Sequence, residues 1–172
     1  HESLDEAAER VLEQKAGVDG IYLEQLATFG DPKRDNRARS ISTAYMALVN
    51  IDAFKPQTTE YYADIAWHPV EDLPAMAFDH KKMVLCGRAR LINKLGYSNI
   101  AYALLPKEFT LTELQNLYES IIGQSLDKRN FRKKIQDVAL VKETGKIRRD
   151  GPSRPAKLYR FTDLRPKIVD IL

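Results

Sequence analysis

The feature that most restricts the fold is a pair of capped amphipathic helices followed by two strand-like segments near the carboxyl end. Thr110 and Glu113 form a capping-box pattern for a helix that runs to about Ile122, and Gly123 is typical of a helix end. After a short connection, Asp127 is a suitable N-cap for a second helix. Two strands around a basic loop follow this helix-turn-helix pattern. The segment is therefore predicted to fold as a winged helix.

The second of these helices separates an apolar side from a strongly basic one. Phe131 and Ile135 are four residues apart, so they share one side of the helix and are predicted to face the core. Residues 127–167 carry 14 basic and 5 acidic side chains, although the whole chain has a net charge of only +3. Because a helix-turn-helix places its second helix in the major groove, double-stranded DNA is the predicted partner. The alternative is a protein-interaction module whose basic residues only solvate its surface.

Individual DNA-binding residues are predicted on the second helix and on the wing. Arg129, Arg132 and Lys133 are predicted to lie together, opposite the apolar side, where arginine suits guanine edges and asparagine suits adenine edges. The basic side chains of the wing suit phosphates or an adjacent minor groove. The predicted DNA-binding residues are Lys128, Arg129, Asn130, Arg132, Lys133, Lys146, Arg148, Arg154 and Lys157.

The preceding part of the chain predicts a separate α/β domain. Ser3 and Glu6 form a capping box for a helix that ends before Gly17. Extended segments are predicted over 18–29, 41–51 and 63–67, and a second helix over 78–95. Residues 1–105 carry a net charge of −3 and residues 106–172 one of +6, which indicates two domains. We predict an α/β domain of residues 1–104 followed by a winged-helix domain of residues 105–172.

Composition excludes several other classes of protein. Cys86 is the single cysteine, so no intramolecular disulfide can form, and a lone thiol suits a reducing compartment. Three histidines and one cysteine show no spacing typical of a zinc site. No apolar run approaches the roughly 20 residues that a membrane span needs. The expectation is a cytoplasmic protein with no membrane partner, metal or cofactor.

The first predicted helix resembles the latter part of a Nudix box. That box reads Glu, seven residues, then Arg-Glu-apolar-any-Glu-Glu-any-Gly-apolar. The residues that match it are Glu2, Arg10, Leu12, Gly17 and Val18. Its three further acidic positions are occupied by Val11, Gln14 and Lys15. In Nudix hydrolases those glutamates hold the divalent metals that activate water, so the resemblance implies no hydrolase activity and no catalytic residues. An ordinary amphipathic helix is the alternative interpretation of this pattern.

Segments from both halves resemble the Nudix-related transcriptional regulators of the NrtR family. Residues 23–35, 39–45 and 77–80 resemble its ADP-ribose-directed effector domain, and residues 127–134 and 154–161 resemble its DNA-binding part. The resemblance covers essentially the whole chain, and the combination of both halves makes it specific. It implies a Nudix-like α/β/α sandwich followed by a winged helix-turn-helix domain, in the α/β (α+β) class. The amino-terminal strands of the sandwich are expected upstream of residue 1.

The same resemblance implies a ligand-responsive repressor that binds an inverted-repeat operator as a homodimer. The implied effector is ADP-ribose or a related nucleotide for regulators of NAD-metabolism genes, and a sugar or nucleotide sugar for regulators of sugar-utilisation genes. Arginine forks match phosphate geometry, and aromatic rings stack on a base or ribose. The predicted effector-binding residues are Phe29, Arg34, Arg37, Arg39 and Tyr45. Each of them could instead be a loop charge or a core aromatic residue.

Two other functions compete with this interpretation. The first is a Nudix hydrolase of a nucleoside diphosphate derivative that carries an accessory nucleic-acid-binding domain. The second is an RNA-associated Nudix protein, which would have no palindromic DNA target. The acidic positions of the box separate the hydrolase from the regulator, and they favour the regulator.

Overall fold

The structure is a computed structural model that describes residues 1–17, 20–54, 65–149 and 155–172. In chain order its elements are α1 (Leu4–Ala16), β1 (Tyr22–Phe29), β2 (Ser42–Leu48), α2 (His80–Tyr97), a 3-10 helix (Ile100–Ala103), α3 (Leu111–Ile122), α4 (Lys128–Asp137), β3 (Val141–Arg148) and β4 (Ala156–Phe161). Two compact units divide the chain, His1–Arg90 and Leu91–Leu172, and α2 contributes residues to both. Within the described ranges, no helix is long and apolar enough to cross a membrane.

Local sequence defines both ends of α1. The Glu6 N–H donates to the Ser3 hydroxyl at 3.2 Å, and the Ser3 N–H donates to the Glu6 carboxylate at 2.7 Å. At the other end, Gly17 adopts a φ of 65° and donates its N–H to the Glu13 carbonyl. The predicted capping box and the glycine stop are both confirmed.

β1 and β2 pair in antiparallel orientation as a two-stranded sheet. Tyr22 lies opposite Leu48, and Phe29 lies opposite Ser42. The register shifts near Leu26, which produces a bulge in β1. Both strands lie within the predicted extended segments, although each is shorter than predicted.

Two sequence predictions around this sheet are wrong in detail. The segment 41–51 does not stay extended to its end, because the Asn50 carbonyl accepts from the N–H groups of Ala53 and Phe54 and so closes a turn. Residues 65–67 are irregular, and residues 63–64 lie outside the described residues. A strand requires a ladder of backbone hydrogen bonds with a neighbour, whereas Trp67 is 50% exposed and meets the Phe54 ring edge-on at 5.8 Å. β propensity alone therefore overpredicted this strand.

α2 begins two residues later than predicted because Phe78 adopts a left-handed φ of 53°. The first part of the helix lies against β1. Arg90 donates to the Glu24 carboxylate at 2.9 Å and to the Leu26 carbonyl at 3.1 Å. A Cβ on Gly87 would lie only 3.6 Å from a Leu26 methyl group, so helix and strand are in close contact.

The helix-turn-helix of the second unit forms as its sequence predicts. The Glu113 N–H donates to the Thr110 hydroxyl at 3.1 Å, and the Thr110 N–H donates to the Glu113 carboxylate at 2.7 Å. Gly123 ends α3 with a φ of 76°. The Asp127 carboxylate then caps α4 by accepting from the Asn130 N–H at 2.8 Å. The largest fully buried side chains of this unit are Tyr118, Phe109, Leu95, Ile100, Leu114 and Ile135.

The wing consists of β3 and β4, which pair in antiparallel orientation. The turn predicted at Thr144-Gly145 does not form there, because β3 continues through it to Arg148. Ile147 is four positions after Glu143 on β3, whereas their partners on β4 are only two positions apart. Gly145 adopts a φ of 77° within this bulge, a conformation that glycine adopts readily because it has no Cβ.

The last residues of the chain pack across the end of α2. Asn99, only 3% exposed, donates its side-chain amide to the carbonyls of Asp163 at 3.1 Å and Arg165 at 2.9 Å. Its side-chain oxygen accepts from the Lys167 N–H at 2.8 Å. Further along, the buried Ile171 donates its N–H to a carbonyl at the end of α2 at 2.8 Å. We call residues 163–172 the C-terminal strap.

Candidate functional site

The outer face of α4 presents basic and amide side chains to solvent. Phe131 and Ile135 are buried on the inner side, as predicted. The exposed residues of the helix include Lys128, Arg129, Asn130 and Lys133. No ion pair joins Lys128, Arg129 or Lys133 to another described residue. Cations in this state can contact base edges or phosphates without first losing an internal partner.

The sequence predicts that Arg132 lies together with Arg129 and Lys133. In the structure it lies apart from them. It is one residue, or about 100°, around the helix from Phe131, so it occupies the flank of α4. From there its guanidinium turns toward the start of α3 and donates to the Thr112 hydroxyl at 3.2 Å. Its Nε atom is buried and has no hydrogen-bond partner in the described part of the chain.

Carboxylates already pair with the predicted DNA-binding residues of the wing that the structure describes. The pairs are Lys146 with Glu108 at 2.8 Å, Arg148 with Glu113 at 2.6 Å, and Lys157 with Glu143 at 3.1 Å. Partial burial favours the neutral acid of Glu113, but hydrogen bonds from Thr110 and Arg148 lower the pKa of that carboxyl below its ordinary value. Arg154 lies outside the described residues.

These carboxylates were not identified from the sequence. Glu113 was assigned only its capping role, and Glu108 lies in the connection before α3. Glu143 is the last paired residue of β3 before the bulge, and its pairing with Lys157 depends on the register of the wing. A cross-strand charge comparison could have suggested that pair, because diagonal neighbours on paired strands interact.

Arg34 uses its guanidinium within the first unit. Its Nε and Nη2 atoms donate to the two carboxylate oxygens of Asp79 at 3.0 and 2.9 Å, and its Nη1 atom donates to the Ser40 hydroxyl at 3.0 Å. The side chains of Arg34 and Asp79 are 7% and 17% exposed. Hydrogen bonding to Arg34 holds the pKa of Asp79 below its ordinary value. In this arrangement Arg34 joins the loop after β1 to the start of α2.

The other two predicted arginines of this loop are more accessible. Arg37 pairs with Asp35 at 2.9 Å, lies 4.5 Å from the centre of the Phe78 ring, and is 71% exposed. Hydrogen bonds from Arg37 lower the pKa of Asp35 to about 2. Arg39 donates to the Gly30 carbonyl at 2.9 Å.

Tyr45 lies apart from these arginines. It lines an open, mainly apolar groove of about 560 Å³ between α1 and the two-stranded sheet. Its hydroxyl donates to the Asp5 carboxylate at 2.5 Å, which raises the pKa of Tyr45 to about 12. Phe29 is at the end of β1, next to the arginine loop, and is not among the residues that line the groove. The five predicted effector-binding residues therefore occupy two separate places in the unit.

The charged residues that match the Nudix box pair with each other. Arg10 donates its Nε to the Glu2 carboxylate at 2.9 Å and its Nη1 to the Gln14 amide oxygen at 3.2 Å. The hydrogen bond from Arg10 lowers the pKa of Glu2. Within the residues that the structure describes, no group of three or more His, Cys, Asp or Glu side chains is placed to hold a metal ion.

Comparison with known proteins identifies relatives of both units. Residues 101–161 match the family model of the NrtR DNA-binding winged helix domain. The chain is 34% identical to NrtR of Shewanella oneidensis in its crystal structure with a 27mer DNA, with a TM-score of 0.82 over 94% of this chain and 74% of that chain. The chain belongs to the NrtR family.

Two further comparisons extend this NrtR assignment. The chain is 40% identical over 162 residues to the ADPR responsive transcriptional repressor NtrR of Acinetobacter baylyi, covering 93% of this chain. It spans 64% of the length of that relative. A MutT/nudix family protein from Enterococcus faecalis has a TM-score of 0.70 over 95% of this chain and 71% of its own, at 21% identity, which shows the fold alone.

These findings confirm the predicted fold class. The chain combines a Nudix-like α/β fold with a carboxyl-terminal winged helix. The exact boundary between the two domains, placed after residue 104 from the sequence, stays a prediction.

Proposed function

We propose that this NrtR-family chain acts in a ligand-responsive transcriptional repressor that binds double-stranded DNA through its second unit. The observation that carries the proposal is the outer face of α4, where basic and amide side chains are exposed over a buried Phe131 and Ile135. A relative of the same fold was crystallised with a 27mer DNA. In a helix-turn-helix, residues near the start of the second helix contact base edges.

The proposed roles divide between the helix and the wing. Arg129 and Asn130 are near the start of α4 and exposed, so they are the proposed base-reading residues, with Lys128 and Lys133 beside them. Lys146, Arg148, Arg154 and Lys157 are the proposed wing contacts to phosphate or minor groove. Phosphate contacts fix the position of a protein on DNA, and base contacts supply its sequence preference.

A salt series of DNA titrations tests both roles. Arg129→Ala should weaken binding to the operator by about 1–3 kcal/mol and relax preference at one position, with little effect on a scrambled duplex. Lys146→Ala should weaken both duplexes alike and lower the slope of log affinity against log salt by about one unit. Equal binding of both duplexes by the wild-type protein would overturn sequence-specific regulation.

The proposed target is an inverted repeat bound by a homodimer. One recognition helix reads only a few base pairs, so two half-sites about one DNA turn apart are the usual arrangement. Sedimentation of the free protein and footprinting of its complex measure this directly. A monomer that protects one isolated half-site would contradict the proposal.

ADP-ribose is the proposed effector, and NAD-metabolism genes are the proposed targets. The alternative is a regulator of sugar-utilisation genes that responds to a sugar. A 40% identical relative is described as an ADPR responsive repressor, which supports the nucleotide. Among the proposed contacts, the exposed Arg37 is the best placed to meet a phosphate, with Arg39, Arg34, Phe29 and Tyr45 as the other candidates.

A thermal-shift screen of nucleotides and sugars on the full-length protein tests the effector. A ligand that binds the native state raises its melting temperature. ADP-ribose should raise it and should also release operator DNA, whereas sugars should do neither. A shift produced by sugars alone would favour the sugar-responsive alternative.

We propose further that the chain is not a hydrolase and needs no bound metal or cofactor. Support comes from the box itself, where Val11, Gln14 and Lys15 supply no carboxylate for a divalent metal. Mg²⁺-dependent turnover of ADP-ribose by contaminant-free protein, abolished by Glu2→Gln, would instead establish a Nudix hydrolase with an accessory nucleic-acid-binding domain.

A further inference from the structure

A cleft of about 400 Å³ lies between the start of α3, the flank of α4 and β4. Its polar lining includes Lys128 and Arg132 from α4, Lys157 from β4 and Thr112 from α3. None of the described residues that line it is acidic. Three cationic side chains and a hydroxyl converging on one cleft form a donor set suited to an oxyanion.

Arg132 supplies the most specific observation in this cleft. One of its terminal nitrogens is hydrogen-bonded to Thr112 at 3.2 Å, whereas its buried Nε has no partner among the described residues. A buried donor without an acceptor costs free energy, and more so when it belongs to a charged group. Guanidinium N–H groups form a planar fork that matches two oxygens of a phosphate. Arg132 therefore carries one guanidinium donor that no described acceptor satisfies.

The position of the cleft indicates which phosphate would reach it. In a helix-turn-helix the first helix, here α3, crosses the DNA backbone while the second lies in the groove. Arg132 is drawn toward α3 by Thr112, away from the outer face that carries Arg129 and Lys133. A base edge in the groove would meet that outer face, whereas a backbone phosphate would meet the start of α3.

The two lysines of the cleft can contact an anion without losing a strong internal partner. Lys157 is paired with Glu143 at 3.1 Å, but both side chains are exposed. Exposed ion pairs contribute little to stability, so the Lys157 ammonium can exchange its carboxylate for a phosphate. Lys128 is exposed and has no ion pair with another described residue.

We propose that this cleft binds one phosphate group of the DNA backbone and that Arg132, with Lys128 and Lys157, fixes the position of the winged helix on the duplex. Arg132 is thus a phosphate-binding residue and not a base-reading one. The proposal rests on the proposed DNA-binding function and assigns a specific ligand group to one cleft of that surface.

Two variants on the same helix separate these roles. Arg132→Gln should weaken operator and scrambled duplex alike, on the order of tenfold, and should lower the salt slope by about one unit. Arg129→Gln, the matched control, should weaken the operator more than the scrambled duplex. Lys128→Gln, an exposed substitution that leaves the buried Nε in place, should reproduce the uniform loss and the lower slope if Arg132→Gln does not fold.

A second readout follows the Arg132 Nε–H resonance by NMR in the full-length protein while inorganic phosphate or duplex is added. Inorganic phosphate and duplex should each shift this resonance. Inorganic phosphate should leave the corresponding Arg129 resonance unchanged. If inorganic phosphate shifts the resonance but Arg132→Gln and Lys128→Gln leave the duplex affinity unchanged, the cleft binds free phosphate. That result would overturn the proposal that it binds a phosphate of the DNA backbone. An operator-selective loss in Arg132→Gln would return this residue to base reading. If the wild-type protein binds neither duplex, the proposed function itself fails, whatever the cleft does with inorganic phosphate.

Discussion

Asn99 offers a direct test of how the second unit holds its C-terminal strap. Replacing Asn99 with alanine removes the hydrogen bonds to the carbonyls of Asp163 and Arg165 and the bond from the Lys167 N–H. A typical intramolecular hydrogen bond contributes about 1 kcal/mol net. Because the strap residues are mostly exposed and can regain water, we expect Asn99→Ala to lower the free energy of unfolding by about 2–3 kcal/mol.

Thermal unfolding and native-state hydrogen exchange measure this effect. For a unit of this size, the expected loss lowers the melting temperature of its transition by about 10–20 °C. The backbone amides of Lys167 and Ile171 should exchange faster, because the strap opens more readily without its hydrogen bonds to the Asn99 side chain. Asn116→Ala is the matched control, since Asn116 is exposed on α3. We expect that control to change stability by less than about 0.5 kcal/mol.

The reasoning has a clear point of failure. If Asn99→Ala is as stable as Asn116→Ala, the three hydrogen bonds contribute nothing net. If the variant is destabilised while the Lys167 and Ile171 amides keep their protection, Asn99 supports the end of α2 and not the strap.

Three further predictions concern charge and packing. Glu108→Gln should raise the affinity for operator and scrambled duplex alike by about two- to fivefold, because it releases Lys146 from an exposed ion pair; an unchanged affinity in filter binding would show that this pair does not compete with DNA. Phe131→Ala should lower the free energy of unfolding by about 3–5 kcal/mol, since this ring is buried under α4, and urea denaturation that places the loss below 1 kcal/mol would contradict the assigned core. Because the pKa of Asp35 is lowered to about 2, its ion pair with Arg37 persists through the pH range in which aspartate ordinarily titrates and is lost only as the pH falls toward about 2. ¹³C NMR titration should place that pKa near 2, and in Arg37→Gln closer to 3.8.

The helices were predictable from sequence because their boundaries are set by neighbouring residues. Ser3, Thr110 and Asp127 each cap a helix through a bond to a residue three positions later. The strands were harder to predict, since a strand exists only where another segment pairs with it. Residues 65–67 have suitable side chains but are irregular in the structure, and β3 continues with a bulge through the turn predicted at Thr144-Gly145.

Individual site residues were less predictable than the surface they share. The basic outer face of α4 follows from helical periodicity, which needs only local sequence. By contrast, Arg34 pairs with Asp79 across 45 positions, and Arg132 reaches Thr112 across 20. Sequence spacing gives no signal for such partners, because they depend on how separate elements pack.

The pairing of β4 bears on how the protein avoids unwanted self-association. One edge of β4 pairs with β3, and the other is bridged by Phe109, whose N–H and carbonyl bond to Tyr159 at 3.0 and 2.7 Å. The outer edge of β3 carries a bulge and the charged side chains of Lys142 and Lys146. Bulges and lysines on an edge strand hinder the addition of a strand from another chain. The wing can therefore remain exposed at high protein concentration without becoming a template for aggregation.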